Sequence, residues 1–469
     1  MVPSSASTSS ASKALSPTSH ALSLSLSSSL PSPGSIAHAH SIFSPSPGLV
    51  SLVLDLPARS PYSFQRYPIS IGGPGVGNDL DASFGGPPRR PVQVRFDNAL
   101  VSVADLDGQQ CVDDTGAVLG ARFWELLPGS PTVPQIVAAL VEIMCAPPDP
   151  AGAAAFEAGV AFTRAKHDAV ADFRKLHPGN PLLEPAAAVD PDSLAPELAA
   201  FLSSPSPPPS IPPFITSPSP GVYRFPLFPP SLCASLLSTV DAYEATDLPK
   251  RRPNTMNNHG LVLTEIGLLP YATSLLRTVI GPLARVLFEG EAFADSLDCH
   301  HTFSVEYRAE ELGNGDRNLD MHHDSSEVTL NVCLGREGFL ASGLRFCGEF
   351  GAADHRRSRG TVAHEVGTAV MHLGRQRHGA DDIAGGERVN LIAWARSSSF
   401  RAAAAFGHMA PDGYPKEREG GEVDQACLSR ANDADYEEKV KRGDRAQAQA
   451  EKKRRFVPFD APGGKSCNR

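Results

Sequence analysis

The 469-residue chain lacks the usual marks of several protein classes. Its eight cysteines, at 111, 145, 233, 299, 333, 347, 427 and 467, include no CxxC pair and no finger-like spacing. That excludes structural zinc and is too sparse for a disulfide scaffold, so most are expected to be reduced and buried, as in an intracellular protein. No apolar run reaches the roughly 18–20 residues that span a bilayer. The 42 Lys and Arg are outnumbered by 52 Asp and Glu, a net charge of −10. This argues against a general nucleic-acid binder, because phosphate contacts need clustered cations. Acidic residues are absent from positions 1–54, where Lys13 is the only Lys or Arg and eighteen of the first fifty residues are Ser. Such a segment cannot offset its ordering entropy and reads as a disordered tail. Its Ser-rich, acid-poor composition also fits a plastid or mitochondrial transit peptide, although Arg and an amphipathic period are missing. The composition otherwise predicts a soluble protein, cytoplasmic in the first instance.

The 43 Pro and 40 Gly are expected to mark linkers and turns. Residues 55–203 read as a mixed, mainly helical accessory region. Val92–Phe96 is a weak strand. Helices are predicted from Val133 to Pro147, over 151–175 and over roughly 190–203. The Pro-rich stretch 204–220 reads as a linker and as the clearest domain boundary. Residues 221–400 follow as a second domain. It has a helix over Ser231–Tyr243 and another over Pro270–Phe288, with Leu275, Leu276, Val279, Ile280, Leu283, Val286 and Leu287 on its core side.

Beyond this point the hydrophobic period switches to two. Strands are predicted at Asp298–Tyr307, Glu327–Leu334, Leu344–Phe346, Thr361–Val366, Ala369–His372 and Arg388–Trp394. Helices followed by about eight short strands with Gly-rich turns predict an α+β fold, a jelly-roll or double-stranded β-helix buttressed by helices. Residues 401–469 lose periodicity and read as a charged, partly disordered tail, with Lys452–Arg455 a solvated run.

The chemistry centres on Leu319-Asp320-Met321-His322-His323-Asp324. On a strand, His322 and Asp324 share a face and His323 points away. His378 follows a Gly-containing turn 56 residues after His322, and Arg388 lies ten residues beyond it. Two His and one carboxylate can cap one face of a ferrous ion and leave other positions open. His372 is a rival third ligand, set aside because His378 has the ten-residue step to Arg388. His300, His301 and His364 read as structural, and Asp381 and Asp382 as solvated turn residues. Arg388 shares a strand face with Asn390, Ile392 and Trp394. A charge there needs a partner, either a carboxylate co-substrate or an ordinary salt bridge within the protein.

These residues resemble a known family. Arg252–Gly260, Leu297–Tyr307, Leu319–Leu334, His372–Ala380 and Gly386–Ile392 are similar to the iron(II)- and 2-oxoglutarate-dependent dioxygenases, prolyl 4-hydroxylase-like branch. They resemble in particular the 2-oxoglutarate and iron-dependent oxygenase domain-containing protein 2 group. The resemblance implies His322, Asp324 and His378 as ligands of Fe(2+). It implies Arg388 for the distal carboxylate of 2-oxoglutarate, with Tyr307 and Asn390 assisting. Relatives often carry a small hydroxyl residue where Asn390 stands. The implied reaction hydroxylates an unidentified protein side chain or small molecule. It consumes O2, forms succinate and CO2, and uses L-ascorbate as reductant. Two other readings compete: a catalytically silent barrel acting as a scaffold, and a cupin-like isomerase. The Arg388 step disfavours the second.

Overall fold

The computed structural model describes residues 38–56, 67–72, 93–96, 131–145, 153–204, 211–400 and 424–429, apart from a few single positions within them, together with isolated positions outside them. Four strands open the chain: β1 (His38–Ser46), β2 (Leu49–Asp55), β3 (Tyr67–Gly72) and β4 (Gln93–Phe96), antiparallel in that order. The expected tail over 1–54 is therefore corrected from position 38 onward; the remainder lies outside the described residues. The cause is a period-two pattern hidden by the Ser-rich composition. Val50, Leu52 and Leu54 alternate inward on β2, where they meet Ile69 and Ile71 of β3 and Phe96 of β4. Helix α1 (Val133–Ile143) closes this core with Ile136, Val137 and Leu140. Its N-terminus carries a capping box of Thr132 and Gln135. The "mainly helical" region thus has a sheet as one of its two layers.

Helix α2 (Ala153–Leu176) and the short α3 (Pro196–Leu202) follow. The expected boundary at 204–220 does not separate two cores. One hydrophobic cluster contains Phe173, Leu183 and Leu198 from upstream and Leu236, Val279, Leu330 and Leu391 from downstream. Ile215, inside the supposed linker, is buried in the same cluster. Residues 216–219 form β5 (Thr216–Ser219), which pairs with β6 (Val222–Pro226) at the edge of the large sheet. Pro218 is tolerated there because an edge strand has an unpaired side.

Helix α4 (Pro230–Glu244) matches its predicted span closely. The predicted helix over Pro270–Phe288 is instead α5 (Leu269–Leu275), a π turn at Leu276–Ile280 and α6 (Gly281–Leu287). Pro282 has no N–H and its ring crowds the carbonyl four residues back, so the helix widens one turn before it.

The remaining strands are β7 (Cys299–Arg308), β8 (Leu319–His322), β9 (Val328–Gly335), β10 (Leu340–Ala341), β11 (Leu344–Glu349), β12 (Ser358–Val362), β13 (Thr368–Leu373), β14 (Gln376–Ala380), β15 (Ile383–Gly385) and β16 (Glu387–Arg396). They form a six-stranded sheet in the order β5-β6-β13-β9-β16-β7 and a four-stranded sheet in the order β12-β11-β14-β8. A small β10-β15 pair stands beside them. The chain crosses between the two sheets repeatedly, which brings distant strands to face each other. On β16, Val389, Leu391, Ala393 and Ala395 enter the main core, while Ile392 and Trp394 face a cleft. Period two forces this division.

Residues 424–429 lie against the four-stranded sheet, where Cys427 is disulfide-bonded to Cys347 of β11. That corrects the reading of this segment as tail. Sequence spacing could not reveal the pair, because the two cysteines are 80 residues apart. Cys145, Cys233, Cys299 and Cys333 are free thiols. Among the described residues no helix is long and apolar enough to cross a membrane.

Helix α2 is tied to the rest of the fold by a buried ion triad. Lys166 Nζ lies 2.7 Å from Glu265 Oε2, and Arg251 Nε lies 2.5 Å from Glu265 Oε1. Burial alone would raise the Glu265 pKa, but Arg251 and Lys166 outweigh it and hold the carboxyl below the usual carboxylate range. A depressed carboxylate stabilises the fold above its unfolded pKa, and that contribution is lost as pH falls through the folded value. Glu265→Gln leaves two cations without a countercharge. It is expected to cost about 3–5 kcal/mol at pH 7 in urea unfolding, with the gap from wild type shrinking below about pH 4.

Candidate functional site

Strands β8 and β14 pair so that His322 stands directly opposite His378, with ring centroids 4.3 Å apart. His378 sits in mid-strand, after the turn at Gly374, as expected from its place behind a Gly-containing turn. β8 ends at His322, so Asp324 lies beyond the strand and strand parity does not place it. Two hydrogen bonds do. The Asp324 backbone N–H donates to Gly374 O at 2.9 Å, and Thr329 Oγ1 donates to Asp324 Oδ2 at 2.6 Å. His323 turns away and stacks on Phe350 at 4.5 Å.

Asp324 Oδ1 is 3.4 Å from His322 Nε2, and Oδ2 is 3.6 Å from His378 Nε2. One ligand atom from each of the three residues lies within 4.8 Å of the others. The far side of each ring fixes its tautomer. His322 Nδ1 faces Asp320 O at 2.8 Å and His378 Nδ1 faces Gln376 O at 2.9 Å. A carbonyl only accepts, so each Nδ1 carries a proton and each Nε2 is the ring atom turned toward the carboxylate, available to a metal once deprotonated. With both Nε2 atoms deprotonated, acceptors face acceptors, an arrangement that a divalent cation relieves and that metal-binding histidines adopt. The charges agree. Burial would raise the Asp324 pKa, but His378 and His322 hold it well below the usual carboxylate range. Burial lowers His378 to about 3. His322 is raised despite burial, through its contacts with Asp324. Among the described residues this is the one group of three or more His, Cys, Asp or Glu side chains arranged to hold a metal.

His372 is not in the group. Its ring is fully buried behind His378, 4.5 Å away and edge-on. Nδ1 of this ring is taken by Leu373 O at 2.9 Å. His300 is held by Thr273 and Thr302, and His301 by Pro253 O. His364 lies beyond the end of β12, not on a strand. Asp381 was expected to be solvated and is instead paired with Arg345 through contacts of 2.9 and 3.0 Å. Asp382 is bonded to Asn318.

The three residues open into a solvent-connected cleft of about 380 Å³ between the two larger sheets. Phe303, Ile392 and Trp394 form an apolar wall, and Tyr307 and Asn331 line the part nearer Arg388. Arg388 itself lies behind the lining, only 1% exposed. Its guanidinium sits over the Tyr307 ring at 4.7 Å. Nη1 donates to Asn390 Oδ1 at 3.0 Å and Nη2 to Ser342 Oγ at 2.8 Å. Nε has no partner. Among the described residues no carboxylate pairs with this cation. Burial depresses its pKa, and the groups that act against that are Tyr307 and Cys333. The ordinary salt bridge is therefore not what holds Arg388.

Asn390 touches the cleft only indirectly: its Oδ1 holds Arg388 and its Nδ2 donates to Asn331 Oδ1. Tyr307 OH accepts from Asn257 Nδ2 at 3.4 Å, and burial pushes its phenol up to about 12. Asn254, Asn257, Thr329 and Asn331 also line the cleft and were not singled out from the sequence. The signal for two of them was present. Thr329 and Asn331 alternate with Val328, Leu330 and Val332, so one face of a buried strand is polar.

A buried cation without a countercharge costs free energy. Arg388→Met keeps the length and removes the charge. It is expected to raise the unfolding free energy by about 1–2 kcal/mol in urea titration, less than full relief because Ser342 and Asn390 lose a donor.

Comparison with known proteins adds sequence relationships to this geometry. The OGFOD2-like domain family matches residues 187–292. The chain is 41% identical over 181 residues to 2-oxoglutarate and iron-dependent oxygenase domain-containing protein 2 of Xenopus tropicalis, covering 38% of this chain and 50% of that protein. It is 41% identical over 191 residues to the oxygenase domain-containing protein ICU11 of Arabidopsis thaliana, covering 39% and 46%. The chain thus spans about half the length of these curated relatives. A prolyl-4-hydroxylase structure from Pseudomonas putida aligns at 18% identity with a TM-score of 0.26, over 38% of this chain and 88% of that one. That score is too low to carry an argument. Residues 187–292 thus match the OGFOD2-like domain, and about two fifths of the chain is similar to 2-oxoglutarate and iron-dependent oxygenase domain-containing proteins.

Proposed function

We propose that the chain is an Fe(2+)- and 2-oxoglutarate-dependent dioxygenase that hydroxylates a protein side chain, such as prolyl, or a small molecule, with succinate and CO2 as products. The observation that carries this reading is the pairing of one donor set with one buried cation. The His322 and His378 rings and the Asp324 carboxylate converge, each offering one ligand atom within 4.8 Å of the others. Arg388 is buried beside the same cleft with no carboxylate partner among the described residues. A 2-oxo dicarboxylate has a chelating end for the first and an anionic end for the second. The names of the curated relatives support the same reading.

In this proposal the scaffold is a double-stranded β-helix. Repeated crossing of the chain between the six- and four-stranded sheets supports it. The oxygenase unit is proposed to begin upstream of 221, because Phe173 through Leu198 share its core. His322, Asp324 and His378 hold the metal. Bound Fe(2+) supplies one-electron and O2 chemistry that no side chain provides. The chain's own residues do the rest. The carbonyls of Asp320 and Gln376 keep both Nε2 lone pairs free. Thr329 fixes the Asp324 carboxylate. Phe303, Ile392 and Trp394 keep water from one wall. Arg388, aligned by Asn390 and stacked on Tyr307, attracts the distal carboxylate. L-ascorbate is proposed as the reductant.

The decisive measurement is succinate formation from 2-oxoglutarate with Fe(2+), O2 and ascorbate. Turnover by the wild type and its loss in His322→Ala are expected; a wild type that neither binds nor consumes 2-oxoglutarate would sink the reading and leave the scaffold role. Thr329→Val, which removes the donor to Asp324, is expected to weaken Mn(2+) binding about 10–100-fold in anaerobic titration.

A further inference from the structure

Ser342 is held in a backbone conformation that serine rarely adopts. Ala341 and Ser342 both have φ of 62°, the left-handed region that favours Gly and costs free energy elsewhere. The surroundings fix this turn. Ala341 pairs with Ile383 across the β10-β15 ladder. The next residue, Gly343, accepts from Asp381 N at 2.9 Å and lies so close to Thr361 that a Cβ there would collide with it. Ser342 is completely buried, and its hydroxyl spends an acceptor on Arg388 Nη2 at 2.8 Å. Nothing in local propensity explains a serine here. Gly would adopt the same φ without strain, and it would leave Arg388 with Asn390 alone.

We infer that Ser342 is a positioning residue for the anionic end of the co-substrate, working through Arg388. Its chemistry suits the task in a way that Asn390 does not. The amide oxygen of Asn390 only accepts, whereas a hydroxyl accepts from the guanidinium and still has its own hydrogen to donate. With a carboxylate on Arg388, Ser342 keeps its acceptor role toward Nη2 and turns its O–H toward the anion. Without the carboxylate, Ser342 and Asn390 are the neutral groups that hold a buried cation in place. The strained turn is thus retained for the hydroxyl it carries. This inference rests on the proposed 2-oxoglutarate site.

Ser342→Gly separates the hydroxyl from the backbone, because it removes the first and relaxes the second. In anaerobic calorimetry on Mn(2+)-loaded protein, Ser342→Gly is expected to raise the Kd for 2-oxoglutarate about tenfold, the scale of a hydrogen bond to a charged group. Its Mn(2+) affinity should match wild type, and its unfolding midpoint should exceed that of Ser342→Ala, because both lose the hydroxyl and only the glycine relaxes the turn. Ser342→Ala should lose the same affinity while keeping the strain. In turnover the change should fall on KM for 2-oxoglutarate and not on kcat. A Ser342→Gly protein that binds 2-oxoglutarate as tightly as wild type overturns the inference and leaves the proposed function standing. A wild type that does not bind 2-oxoglutarate overturns both.

Discussion

Two imidazoles and one carboxylate held face to face are the constraint on which the centre of this molecule depends. Two Nε2 atoms and a carboxylate oxygen meet within 4.8 Å, inside a fold that excludes most water from them, and the surrounding backbone dictates their placement. Asp320 O and Gln376 O fix the two rings, and Gly374 O and Thr329 fix the carboxylate. Each support comes from a strand or a strand end, so the geometry is as rigid as the sheets that carry it.

Arg388 is the complement of that cluster. The cleft has a patch rich in lone pairs at one place and an uncompensated cation beside another, with Tyr307, Asn331 and Ile392 in the lining between the strands that carry them. Neutral groups, Ser342 and Asn390, hold the cation. A protein that needed only stability would have placed an aspartate there or dispensed with the arginine. The left-handed turn at Ala341–Ser342 and the chain of amides from Asn331 through Asn390 to Arg388 are both structural costs incurred at the same place.

How far the site could be read from the chain depended on the range of the interaction. Strand parity separated Arg388, Asn390, Ile392 and Trp394 from Val389, Leu391, Ala393 and Ala395, and the packing follows that division. Parity failed for Asp324, because β8 ends two residues too early and tertiary hydrogen bonds take over. Spacing singled out His378 behind a Gly-containing turn, and it lies in mid-strand between β11 and β8, just after the turn at Gly374. Composition misled at the front of the chain: a high Ser content concealed the alternation of Val50, Leu52 and Leu54. Proline content misled in the second half of 204–220, where an edge strand and a buried Ile215 belong to the fold, while 205–210 lie outside the described residues.

By itself the sequence determined what is periodic or chemically fixed: the switch from helical to strand repeats, the faces of β16, the His and Asp donors, and the family motifs that unite them. Only the tertiary structure decided which groups meet. It set His322 opposite His378, joined Cys347 to Cys427 across 80 residues, locked Lys166 onto Glu265, and brought Ser342 to Arg388. The reason is physical. A period or a donor type is a property of neighbours along the chain, whereas a buried charge, a tautomer or a strained turn is fixed by partners that only the packed sheets bring within reach.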